Sequence, residues 1–86
     1  KNPDAYIQIS NCLIEVQDYE QALNYVNKGL ALGTTTAERS LLKNNVIIYE
    51  KMGQYKKALN AAKKYVKSYP DDKSMRRELS FIKTRI

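Results

Sequence analysis

The sequence predicts an all-α protein built from a repeated pair of antiparallel helices. Its apolar residues recur at helical spacing, and no segment shows the alternation of a strand. The block Tyr19-Glu20-Gln21-Ala22-Leu23-Asn24 returns 36 residues later as Tyr55-Lys56-Lys57-Ala58-Leu59-Asn60, with Lys28 and Lys64 in the same register. The expected helices are joined by only a few residues, which forces neighbours to run antiparallel.

The first helix is expected over about Asp4 to Gln17. Pro3 suits its first turn, where the missing N–H costs nothing, and Tyr6, Ile9, Leu13 and Val16 make one apolar stripe. The second starts after Asp18, an N-cap with Gln21 as its capping-box partner. Its stripe is Tyr19, Ala22, Leu23, Val26 and Leu30, and Gly33 with three threonines breaks the pattern. The third opens at Thr35, with Glu38 completing another capping box, and spans about Thr36 to Met52. Gly53 supplies its left-handed stop. The fourth runs from Tyr55 to Ser68, ahead of Pro70. The fifth follows Asp71-Asp72 and sets Met75, Leu79, Ile82 and Ile86 on one face.

These residues resemble the tetratricopeptide repeat, whose pattern is a large residue, two spacers, Leu-Gly, two spacers and Tyr, then Ala, three spacers, Phe, and finally Pro. The first copy reads Tyr6-x-x-Ile9-Ser10-x-x-Leu13, then Ala22-x-x-x-Val26, with Thr34 in the Pro place. The second reads Leu42-x-x-Asn45-Val46-x-x-Tyr49, then Ala58-x-x-x-Ala62, then Pro70. The junction Gly53-Gln54-Tyr55 is intact, and its counterpart Gln17-Asp18-Tyr19 keeps only the Tyr. Asn45 departs from the pattern, standing where an apolar residue belongs. The resemblance implies an α-solenoid of about two repeat units and a C-terminal capping helix. It divides one domain, residues 1–86, into repeats at about 3–36 and 37–72 and a cap at about 72–86. Ala22, Ala58 and Gly29 are the small residues that let helices approach to about 8–10 Å. Tyr65 replaces Gly29 in the second copy, so the fifth helix is expected to dock at a different angle.

Composition excludes much chemistry. Without His there is no imidazole base, triad or His-rich metal site, and one Cys forms neither an internal disulfide nor a cysteine zinc cage. Cys12 reads as a small buried hydrophobe. Tyr6, Tyr19, Tyr49 and Tyr55 fall at repeat-core positions, while Tyr25, Tyr65 and Tyr69 are left open. Asp18, Glu38, Asp71 and Asp72 read as helix-start charges rather than acid–base pairs. No enzyme activity and no cofactor is expected. No apolar run is long enough to span a membrane. Lys1 in place of Met suggests a piece of a longer protein. The expected compartment is cytoplasmic by default, or extracytoplasmic or membrane-tethered if a preceding segment carries a signal. Abundant Lys, Asn, Ile and Tyr fit an AT-rich coding sequence and hence a bacterium.

The resemblance implies a binding scaffold whose first helices line a concave side. Carried over, that lining is Asp4, Ile7, Gln8, Asn11, Ile14 and Glu15, then Ser40, Lys43, Asn44, Ile47, Glu50 and Lys51. Such a mixed surface suits an extended or helical peptide. The expected partner is a protein or peptide, with self-association as one form of it. Some members grip a chaperone's carboxylate tail with Lys and Asn on successive first helices. Asn11 matches one such place, but Ile7, Ile47, Ser74 and Glu78 stand at the others, so that clamp is not implied here. The alternative is polyanion binding to nucleic acid, anionic lipid or a cell-wall polymer. Residues 37–86 hold thirteen basic and five acidic side chains, against two and four in residues 1–36. Lys56, Lys63 and Lys67 make a basic stripe, which Arg76 and Arg77 continue. With no aromatic platform or recognition helix beside it, a solvated helix face is the plainer reading and nucleic acid is disfavoured.

Overall fold

The computed structural model describes residues 3–86, apart from the side chains of Thr35 and Thr36. Five helices follow one another: α1 (Pro3–Glu15), α2 (Tyr19–Ala31), α3 (Thr35–Lys51), α4 (Tyr55–Ser68) and α5 (Lys73–Lys83). Each packs on the next in sequence, and α1 also packs directly on α3.

The helix ends show why the chain turns where it does. Asp18 caps α2, its Oδ1 accepting from the Gln21 N–H at 3.4 Å. The return half of the expected capping box is replaced, because the Asp18 N–H donates to the Leu13 carbonyl at 2.8 Å. That bond belongs to the turn that ends α1. The Gln17 N–H donates to Ile14 and the Asp18 N–H to Leu13, with Gln17 left-handed at φ 66°. The end of α3 repeats the arrangement: Gly53, at φ 76°, donates to Glu50, and Gln54 donates to Tyr49. Both are the paired-bond glycine-type stop, one of them without glycine. Helix α1 therefore ends two residues before its expected limit. Helix α3 starts one residue earlier than expected, with Thr34 as an N-cap that makes no side-chain bond. Thr35, expected as that cap, is already helical, and its side chain lies outside the described residues.

Two cores lie on either side of α3. Leu41 and Ile48 join Ala22, Val26 and Ala37 in the first, edged by Tyr6, Ile7, Leu13 and Ile14. Leu42 and Val46 join Ala58, Ala62, Tyr65, Met75 and Ile82 in the second. The side chain of α3 at each of these places is chosen by which helix pair it faces. Gly29 sits where a Cβ would lie 2.7 Å from Leu41 Cδ1 and 3.1 Å from Tyr6 Cβ, so its missing side chain is what lets α2 meet α3.

Three sequence expectations are corrected. Ile9 and Val16 are exposed, 39% and 71%, because α1 lies against both α2 and α3 and its buried arc centres on Ser10. Cys12 lies with them on the outer face of α1 and is exposed rather than buried. Ile86 lies beyond the end of α5 and is also exposed.

Candidate interaction surface

The packing of α1 on α3 brings the two expected lining rows together. Asn44 is buried in this seam, and its Nδ2 donates to Ser10 Oγ at 2.9 Å and to Asn11 Oδ1 at 2.8 Å. Ser10 in turn donates to the Ile7 carbonyl at 2.9 Å. Ser10 was legible only as the small residue of the repeat pattern, and its hydroxyl bridges the seam. Asn44 is thus a brace between the two rows rather than a free group. Asp4, Gln8, Asn11, Glu15, Ser40 and Lys51 are exposed along the seam, and Lys43, Ile47 and Glu50 are half-buried. Ile7 and Ile14 are half-buried edges of the first core.

The α3 row also reaches α5. Lys43 Nζ lies 3.4 Å from Asp72 Oδ2 and Arg39 Nη2 lies 3.5 Å from it. The Tyr65 hydroxyl donates to the same oxygen at 2.6 Å and accepts from Arg39 Nε at 3.0 Å. Asp72 meanwhile caps α5, its Oδ1 accepting from the Met75 N–H at 3.1 Å. Its carboxyl is held well below the usual range, first by the Tyr65 hydrogen bond, then by the Met75 N–H and Lys43. Sequence reasoning found Asp72 as a cap but missed its role as the junction of α3, α4 and α5. Nearby, Glu50 of α3 interacts with Glu78 of α5. Burial, and then the Glu78 hydrogen bond and charge, push its carboxyl up to about 7, against smaller pulls from Lys51 and Arg85.

Lys56, Lys63 and Lys67 are exposed in line on α4, and Arg76 and Arg77 are exposed on α5. Among the described residues none of the five forms an ion pair. Among the described residues no cluster of His, Cys, Asp and Glu is arranged to hold a metal ion, and no helix is long and apolar enough to cross a membrane.

Stacked antiparallel helix pairs with a capping helix define a helical-repeat protein. The chain belongs to the tetratricopeptide repeat family, whose model matches residues 3–32 and 47–72. No curated protein and no solved structure matches it. Proteins of this family generally mediate protein–protein interaction and are typically non-catalytic scaffolds.

Proposed function

We propose that the chain is a protein-interaction module that takes a peptide or protein partner on the concave side formed by α1 and α3. The supporting observation is the Asn44 brace, which ties the two rows into one continuous face. On that face Gln8, Asn11, Glu15 and Lys51 offer donors and acceptors around the half-buried Ile47. Polar groups of this kind hydrogen-bond a peptide backbone, and Ile47 supplies an apolar contact at the centre.

Selection of a displayed peptide library on the chain tests the reading. The variant Gln8→Ala with Ile47→Ala spares Asn11, whose amide oxygen Asn44 needs. It should weaken selected peptides by about 1–4 kcal/mol while the helical content stays unchanged. Replacing Lys56, Lys63 and Lys67 by Glu should leave the same peptides bound. Peptides that bind the double variant as well as the parent, but are lost with the three lysines, would point to the basic stripe instead.

A further inference from the structure

The two helix pairs differ at one place in a way that changes the surface. In the register of the repeat, Ile9 and Tyr25 of the first pair correspond to Asn45 and Ala61 of the second. Tyr25 is half-buried against Tyr6, with ring centroids 6.2 Å apart. Ala61 has only a methyl group at the equivalent place. A cleft of about 360 Å³ opens there between α3 and α4, lined by Asn45, Tyr49, Lys57, Asn60, Ala61 and Lys64. The cleft is shallow and largely open to solvent. Asn45 Oδ1 is buried with no hydrogen-bond partner among the described residues. A second cleft, about 460 Å³, adjoins it through Lys57 and is lined by Gly53, Gln54, Tyr55, Lys56 and Lys57. There too an amide oxygen, Gln54 Oε1, is buried and unpartnered.

A buried acceptor without a donor destabilises the fold that holds it. Among the described residues there are two, each on a residue that lines a cleft beside Lys57. The remaining polar lining is cationic, amide or phenolic: Lys57, Lys64 and Lys56 carry ammonium groups, Asn60 an amide, and Tyr49 and Tyr55 hydroxyls. Lys57 Nζ is held 5.9 Å from the centre of the Tyr49 ring. No carboxylate lines either cleft. A complementary ligand carries anionic groups for the lysines and N–H donors for the two oxygens. A peptide rich in Asp or Glu offers both, one backbone N–H for each side-chain carboxylate.

We propose that the two clefts that share Lys57, on the α3–α4 pair, are a second binding site, for an acidic peptide segment. Its carboxylates meet Lys57 and Lys64, and its backbone N–H groups meet the Asn45 and Gln54 amides, which turn their now buried oxygens outward to accept. The site is separate from the α1–α3 face, because Asn45 and Tyr49 lie roughly half a turn around α3 from Lys43, Ile47 and Glu50. Either site can fail its test without the other.

The test is a titration of the chain with fluorescein-labelled hexaglutamate, using variants that carry the first pair's residues: Asn45→Ile, Ala61→Tyr and Lys57→Gln. Each should weaken binding by about tenfold or more, the loss expected on removing one charge-assisted or buried partner. Lys63→Gln, exposed on the same helix outside both clefts, should change affinity by less than about twofold, as a screened surface charge does. Linear polyphosphate supplies charge but no donor, so any binding of it should be indifferent to Asn45→Ile. If a core variant fails to fold by circular dichroism, Lys57→Gln against Lys63→Gln decides the matter, since both side chains are exposed. Equal effects of those two lysines, no binding at millimolar hexaglutamate, or a polyphosphate response to Asn45→Ile equal to that of the peptide would each overturn the proposal.

Discussion

At the end of α1 the backbone of Gln17 turns left-handed, as Gly53 does at the end of α3. A side chain raises the energy of that conformation through its Cβ, by about 1 kcal/mol or somewhat more. Gln17→Gly should therefore stabilise the protein by about 1 kcal/mol, and Gly53→Ala should destabilise it by a similar amount. Paired thermal melts check both signs. At Gly29 the conformation is ordinary and the constraint is space. Alanine there gains about 1 kcal/mol of helix propensity and loses about 1–3 kcal/mol by crowding Leu41 and Tyr6. Leu41 is fully buried and has little room to move away. The expected outcome for Gly29→Ala is a net loss of up to about 2 kcal/mol, and a raised melting temperature would show that the α2–α3 contact is looser than described.

Among the elements, α3 carries the architecture. Its residues alternate between the two cores, and Asn44 and Lys43 tie it to α1 and to the start of α5. Helix α5 covers the second core with Met75 and Ile82, both buried, and Tyr65 of α4 fills the space between. Tyr65 stands at the repeat position of Gly29. One place in the pattern thus holds no side chain where α2 meets α3, and the largest fully buried one where α4 meets α5. Truncation after Asp72 should uncover this core. The expected result is a lower melting temperature and association measurable by light scattering, as for a repeat array deprived of its terminal cap. A truncated chain that stays monomeric and melts as before would make α5 an appendage.

For the whole molecule, two carboxylates oppose each other in pH dependence. Glu50 is raised from an ordinary 4.5 to about 7, so the stability it contributes is full below its unfolded value and is lost as pH rises through about 7. Asp72 is lowered, so its contribution is present above its ordinary value of 3.8 and is lost as pH falls. The melting temperature should therefore peak near about pH 5 and decline toward pH 8. Glu50→Gln should flatten the decline above the maximum and leave the acid limb intact. A melting temperature that rises steadily from pH 5 to pH 8 in the parent would contradict the raised Glu50 carboxyl.

The sequence by itself determined the helices, the register of the repeat, the family and most of the buried small residues. These depend on local spacing and on residues that start or stop helices, such as Asp18, Gly53 and Asp72, whose effects act within a few residues. It did not determine which arc of α1 is buried, because that depends on two neighbours at once. Ile9 and Val16 read as core along one stripe and Cys12 as a small buried hydrophobe, and all three proved exposed once α3 lay beside Ser10. Tertiary structure alone decided that Asn44 is a brace, that Lys43 reaches Asp72, and that Tyr65 joins three helices. Each of these contacts links side chains far apart in sequence or on different helices, so no periodicity encodes it. The cleft beside Asn45 lies between these cases. Asn45 was visible as a departure from the repeat pattern, but the open space appeared only when Ala61 was set against it by the packing of α4 on α3.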